Sequence, residues 1–255
     1  MSVPTSGFDA ADAGPGPTPS GRSQSECSQS EPLQSGLELI QLAVGYTDPL
    51  VAGITLKVAP GEIVALIGAS GSGKSTVLRT IVGAIPALSG RILLNGREVT
   101  SAPIHQRRIG IVFQEPLLFG HLDVLGNIAY GPRRHGASRR QSRDRALEFL
   151  DWVGLRELAA SPVSQLSGGQ AQRVALARAL AVEPAALLMD EPFSALDADL
   201  RTRLSTEVAG WLRERGISTL HVTHDRSEAA AMADRVFAIQ PGNPGNLIEP
   251  DTPAI

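Results

Sequence analysis

From Leu37 onward, apolar and polar positions alternate: Leu37, Leu39 and Ala43 in one stretch, then Ile54, Leu56 and Val58 in the next. A period of two marks half-buried strands, so the body of the chain opens on two strands in antiparallel pairing. The pattern then changes. Residues 62–67 form a nearly unbroken apolar run after Pro60-Gly61, as a strand covered on both faces requires. Similar runs return at 109–113, 186–189, 219–222 and 236–239, and helical spacing occupies 75–82, 139–153, 170–181, 199–215 and 227–233. Buried strands alternating with helices predict an α/β body around a mostly parallel sheet. Residues 115–165 contain no such strand and read as a mainly helical insert.

Composition separates a tail from this body. Residues 1–35 hold 8 Ser, 5 Pro and 4 Gly with almost no apolar periodicity, so they read as a disordered tail. The tail carries Asp9, Asp12, Glu26 and Glu31 against Arg22, and the rest is balanced at 22 acidic and 22 basic residues. A neutral body lacks the broad positive field of a nucleic-acid binder, so no nucleic-acid partner is expected. The single cysteine, Cys27, can form no internal bridge, which fits a reducing compartment. No run reaches the roughly 18 apolar residues of a membrane span. The longest candidate, residues 174–189, is interrupted by Arg178, Glu183 and Pro184. The start of the chain also lacks the pattern of a secretory signal. The six arginines Arg133, Arg134, Arg139, Arg140, Arg143 and Arg145 read as a solvated face of the insert, with lipid head groups or a membrane partner as the alternative.

Chemistry enters at the end of the first buried strand. Gly68-Ala69-Ser70-Gly71-Ser72-Gly73-Lys74-Ser75 fits G-x-x-x-x-G-K-[ST] between an apolar strand and a predicted helix. Glycines there let successive backbone N–H groups converge on phosphate oxygens, and the helix N-terminus faces the same anion. Lys74 supplies a positive charge for the β and γ phosphates and Ser75 a hydroxyl ligand for Mg²⁺. Thr76, next in the helix, extends the candidate site. A second apolar strand, residues 186–189, delivers Asp190 to its carboxyl end as a metal carboxylate. Glu191 directly follows, placed to polarise a water.

Leu166-Ser167-Gly168-Gly169-Gln170 narrows the reading. Over Leu37 to about Gln240 the sequence resembles the ATP-binding subunits of ABC transporters. Tyr46, Gln114 within Val112-Phe113-Gln114-Glu115, Ser194-Ala195-Leu196-Asp197 and Thr223-His224-Asp225 also match, in the family's order. The resemblance implies a P-loop NTPase core of the RecA-like type with an N-terminal antiparallel β subdomain and a helical signature subdomain. It places the ATP-binding domain at 36–245, its helical insert at about 115–168, and a C-terminal tail at 246–255. ATP and Mg²⁺ are the implied cofactors. Tyr46 would cover the adenine, although a strand-end tyrosine would look the same. Gln114 would touch Mg²⁺ or the attacking water. Ser167, Gly168, Gly169 and Gln170 would contact the γ phosphate bound by a second chain. Ser167 also reads as the cap of the helix that follows. Asp197 would reach the opposite subunit, or simply cap the next helix. His224 would reach the γ phosphate, with Asp225 and Glu228 as a reciprocal capping pair behind it. His221, inside the strand, reads as a packed residue.

The same resemblance implies work as a nucleotide-sandwich dimer, with a second ATP-binding subunit identical to the first. Polytopic membrane permease subunits, a solute-binding protein and a peripheral location on the cytoplasmic face of the membrane complete the expectation. Residues 112–128 resemble the importers of polyamines, ferric ion, thiamine, sulfate, molybdate and sugars. They depart from that group's common form at Gly120, usually proline there, and at Gly126. Leu118, Phe119 and Leu122 read as contacts for the membrane partner. The given chain ends soon after His224, without the C-terminal regulatory domain of many sugar importers, which weighs against a sugar. Export is the alternative direction. A translation or repair ATPase would need a second cassette or a long coiled-coil insertion, and residues 74–167 show no sustained heptads.

Overall fold

The computed structural model describes residues 36–240, 242 and 244–248. The expected N-terminal tail, Cys27 and residues 249–255 lie outside the described residues. Strands β1 (Leu37–Gly45) and β2 (Pro49–Val58) pair antiparallel, with Leu37 opposite Val58 and Leu39 opposite Leu56. After them come β3 (Ile63–Ile67) and α1 (Lys74–Val82), the strand and helix that flank the glycine-rich loop. The next two strands were not foreseen. β4 (Ser89–Leu94) and β5 (Arg97–Glu98) form a hairpin that completes a four-stranded sheet in the order β2-β1-β4-β5. Its turn is Asn95-Gly96, both with positive φ (50° and 75°), the pairing a two-residue hairpin favours.

A short α2 (Ile104–Arg107) leads into β6 (Ile109–Val112). The expected helical insert then holds α3 (Val124–Arg134), α4 (Arg139–Trp152) and the start of α5 (Gly168–Leu180). Gly126, a departure from the family form, has a local reason. Its N–H donates to Asp123 Oδ1 at 2.6 Å to cap α3, and a Cβ there would sit 2.8 Å from that oxygen. The chain continues through β7 (Ala186–Asp190), α6 (Ala198–Glu214), β8 (Ser218–Val222), α7 (Arg226–Met232), β9 (Arg235–Gln240) and β10 (Asn246–Ile248). The second sheet runs β10-β9-β3-β8-β7-β6, parallel from β9 to β6. β10 falls in the stretch expected to be a tail, yet it pairs antiparallel with β9, Leu247 opposite Ile239.

Strand alternation divides the interior into two cores. Ile63, Leu187 and Met189 point into a cluster with Ile128, Leu150, Leu176 and Leu204 from α3 to α6. Their neighbours Val64, Leu66, Ala186 and Leu188 point the other way, toward Val77, Leu78 and Ile81 of α1 and the antiparallel sheet. Both faces of β3 and β7 are therefore covered, which is why those strands read as continuous apolar runs. Arg107 is 4 % exposed and its guanidinium donates to the carbonyls of Thr80, Ile81, Thr100 and Ala102 at 2.6–3.0 Å. Two of these are terminal carbonyls of α1, so a buried cation closes the C-terminal end of the helix that begins at the phosphate loop. Gly83, next to them, has φ 91°, and a Cβ on it would lie 2.6 Å from that guanidinium.

Candidate functional site

The glycine-rich loop leaves β3 at Gly68 and enters α1 at Lys74, with Gly71 at φ 77° and Gly73 at φ 96°. A side chain at Gly73 would be strained by that φ and would meet Val51 Cγ2 at 2.8 Å. Lys74, 7 % exposed, donates from Nζ to the carbonyls of Gly68 and Ala69, both at 2.8 Å. Its ammonium thus sits within the curl of the loop. Ser75, the residue after Lys74, lies beside Asp190, which is 6 % exposed at the end of β7. Burial holds the Asp190 carboxyl above the ordinary carboxylate range, with Glu191 adding to the effect; the Ser75 hydroxyl, Arg79 and Lys74 oppose it. A cation placed beside a buried carboxylate favours its charged form.

Glu191 is the geometric centre. It adopts φ 48°, a left-handed conformation uncommon for a residue with a side chain, and its N–H donates to Val222 O at 2.9 Å. Glu191 Oε2 accepts from Gln114 Nε2 at 3.2 Å, and Oε1 lies 3.0 Å from His224 Nδ1. Three parallel strands thereby contribute to one cluster: Gln114 follows β6, Glu191 follows β7 and His224 follows β8. These three side chains, together with Ser70, Gly71 and residues 73–76, wall a cavity of about 460 Å³ that has Leu50 at its rim. The carboxyl ends of a parallel sheet are where such α/β folds hold ligands.

The remaining expected site residues lie outside this cavity wall. Tyr46 follows β1 and is 66 % exposed, its ring open to solvent. Ser167 accepts from Gln170 N at 3.3 Å while Gln170 Oε1 accepts from Ser167 N at 2.9 Å, a reciprocal cap on α5. Gly168 has nothing within 4 Å of a Cβ position, whereas a Cβ on Gly169 would stand 3.2 Å from Leu196 Cδ2 and 3.3 Å from Ala195 O. Gly169 therefore also serves packing within its own chain. Asp197 caps α6 by accepting from Leu200 N at 2.9 Å.

One expectation fails behind His224. Asp225 caps α7, accepting from the N–H groups of Ser227 and Glu228, but Glu228 does not return the bond. The Asp225 N–H donates instead to Thr223 Oγ1 at 3.0 Å, and the Glu228 side chain turns inward to His221. His221 is fully buried, as expected.

Sequence reasoning also missed how α5 grips the segment that carries Gln114. Gln172 Nε2 donates to Phe113 O at 3.1 Å, and Arg178 donates to Pro116 O and Leu117 O at 3.2 and 2.9 Å. Arg178 also lies 5.3 Å from the Phe119 ring. Their one sequence signal is polarity at helix positions otherwise apolar. Arg178 and Phe119, with Ile104 and Tyr130, line a second cavity of about 320 Å³. Ile104 and Tyr130 are 50 % and 43 % exposed. Leu118, expected at the partner surface beside Phe119, is partly buried and packs on the helical core.

The donor set suits magnesium: a serine hydroxyl, an amide and one carboxylate are hard oxygen ligands. Among the described residues no cluster of three His, Cys, Asp or Glu side chains could form an all-protein cage. Magnesium is ordinarily held by one or two carboxylates together with substrate phosphates. No helix of the described residues is long and apolar enough to cross a membrane.

Comparison with known proteins agrees with this geometry. The family model described as ABC transporter matches residues 51–194. The spermidine/putrescine import ATP-binding protein PotA of Frankia alni is 47 % identical over 221 residues, covering 85 % of this chain and 48 % of that protein. The Fe(3+) ions import ATP-binding protein FbpC of Streptomyces coelicolor is 48 % identical over 189 residues, 74 % of this chain and 54 % of its own length. A third relative, the Fe(3+) ions import ATP-binding protein FbpC 1 of Rhizobium meliloti, is 45 % identical over 193 residues, 76 % and 55 % of the two chains. The chain spans about half the length of the curated relatives it matches.

Proposed function

Because the chain belongs to the ABC transporter family, we propose that it binds and hydrolyses ATP to drive solute uptake through separate membrane subunits. The observation that carries the proposal is the convergence of Glu191 with Gln114 and His224, at 3.2 and 3.0 Å, on a cavity floored by Lys74 and Ser75. Lys74 and the loop N–H groups bind the β and γ phosphates. Ser75, Asp190 and Gln114 are the residues that would hold Mg²⁺, which supplies positive charge to the phosphate oxygens when bound. Glu191 accepts a proton from water as the water oxygen bonds to the γ phosphorus; the bond to the β-phosphate oxygen breaks, leaving ADP and phosphate. His224 and Gln114 orient the Glu191 carboxylate for that step.

Four features support contacts beyond the single chain. The exposed Tyr46 ring offers a flat apolar face to adenine. Gly168 and Ser167, at an exposed helix N-terminus with room around Gly168, suit the γ phosphate held by a second copy. Asp197 stands at the next exposed helix start and faces the same partner. The cavity of about 320 Å³ lined by Phe119, Tyr130 and Arg178 suits an apolar segment of the membrane subunits, and it touches the segment that α5 grips beside Gln114. In this reading the chain works peripherally at the membrane. The relatives are named as import proteins, which favours uptake over export, and their printed solutes are a polyamine and ferric ion. The solute is selected by the membrane and solute-binding proteins.

The test has two stages. The purified chain should hydrolyse ATP only with Mg²⁺ present. In vesicles reconstituted with the membrane subunits, ATP on the side of this chain should drive solute accumulation on that side; movement away from it would overturn the uptake reading.

A further inference from the structure

Beneath the loop that presents His224 lie two buried titratable groups that the reaction above leaves unused. His221 on β8 is fully buried, and its Nε2 stands 2.7 Å from Glu228 Oε1 in the first turn of α7, a side chain only 6 % exposed. The two atoms are at ion-pair distance without the alignment of a hydrogen bond, and His221 Nδ1 has no partner. Phe193, fully buried and two residues beyond Glu191, packs its ring 6.3 Å from the imidazole. Removing an imidazole and a carboxylate from water costs far more than filling the same space with leucine and phenylalanine. Bulk packing alone therefore gives no reason for this pair.

Its position gives one. Only Thr223, His224 and Asp225 separate β8 from α7. Thr223 N donates to Leu66 O at 3.3 Å, Thr223 Oγ1 accepts from Asp225 N, and the Asp225 carboxylate caps α7 while lying 3.7 Å from Arg201. Every polar group named in this loop is engaged downward except the His224 imidazole, which is 67 % exposed and reaches Glu191. The contact between His221 and Glu228 ties the strand before the loop to the helix after it. Phe193 joins the same point to the chain that follows Glu191. We propose that the His221–Glu228 pair is a positioning device that fixes the reach of His224 to Glu191 and thereby sets the turnover rate. The proposal rests on the reading of this site as an ATPase.

Two variants of the full chain, each made alone and with His224→Ala, test it by single-turnover hydrolysis, which resolves slow rates, with steady-state kcat and KM alongside. Glu228→Ala removes the contact. The double variant His221→Phe/Glu228→Leu replaces the pair by apolar groups of similar volume and keeps the fold if the first does not. Each should lower kcat by about ten- to a hundredfold, the scale of a misplacement near 1 Å, with KM for ATP within about twofold. Combining either with His224→Ala should cause no further loss, because both act through the same imidazole. The inference is overturned if kcat is unchanged, if kcat and KM move together, or if the losses multiply on the His224→Ala background. A wild-type chain that fails to hydrolyse ATP would overturn the ATPase reading, whereas an active wild type with indifferent variants would sink this inference alone.

Discussion

Replacing Glu191 by glutamine isolates the base from everything else the residue does. Glutamine has the same length and tolerates φ 48° no worse than glutamate, so the contact of Glu191 N with Val222 O survives. The amide oxygen can keep accepting from Gln114 Nε2 at 3.2 Å, which leaves the Gln114 oxygen free for Mg²⁺, and the new NH₂ then faces His224 Nδ1, which accepts in the other tautomer. Binding geometry is preserved at little cost. What disappears is a group able to take a proton from water. A positioned general base contributes about 10²–10⁴-fold, or roughly 2.7–5.4 kcal/mol at 1.36 kcal/mol per tenfold. Phosphate release should fall by that factor while nucleotide affinity and the thermal midpoint stay near wild type, and ATP-bound dimers should accumulate. Single-turnover phosphate release and equilibrium nucleotide binding measure the two sides. A Glu191→Gln rate within about threefold of wild type, less than about 0.7 kcal/mol, would refute the role of Glu191 as base.

Further consequences concern stability and assembly. Arg107→Met should lower the unfolding free energy, read from a denaturant titration, by on the order of 2–4 kcal/mol, because the buried carbonyls of Thr80, Ile81, Thr100 and Ala102 lose a charged donor. A change below about 1 kcal/mol would mean that water replaces the guanidinium. Asp225→Ala should cost about 1 kcal/mol at neutral pH as a lost helix cap. The Asp225 carboxyl is held below its ordinary range, first by the Ser227 hydroxyl, so its contribution is complete above that range and fades as pH falls through the lowered value. Urea titrations of both proteins should therefore converge in acid, and a gap that widens there would contradict the assignment. In cross-linked mixed dimers with Lys74→Ala on one chain and Gly168→Asp on the other, one composite site should carry both defects and the other neither. Gly168 is the better probe than Gly169, since only it has free space for the new side chain. One bound nucleotide per dimer is expected, and equal damage at both sites would show that the signature serves its own chain.

What the sequence revealed and what it hid divide by the range of the forces involved. The loop 68–75 and the metal-side Asp190 were legible because each is set by its own strand: apolar runs buried on both faces fix where β3 and β7 end, and the chemistry sits at those ends. Ser167 was legible as a cap for the same reason, while the return bond from Gln170 emerged only in the structure. The β4–β5 hairpin was missed although Asn95-Gly96 announces its turn, because Ser89 to Arg91 are partly or fully exposed and β5 is only two residues long. Glu191 could not be foreseen in the left-handed region, since nothing nearby in sequence demands it; a bond to Val222, on a neighbouring strand, does. Glu228 shows the competition most directly. The local pattern from Asp225 to Glu228 predicts a reciprocal cap, and half of it forms. The other half is lost because the Glu228 side chain turns inward to His221, seven positions earlier and buried on β8, a strand-to-helix contact that no local pattern announces. Local rules thus placed every element that presents a reacting group, while long-range contacts decided how those groups are aimed.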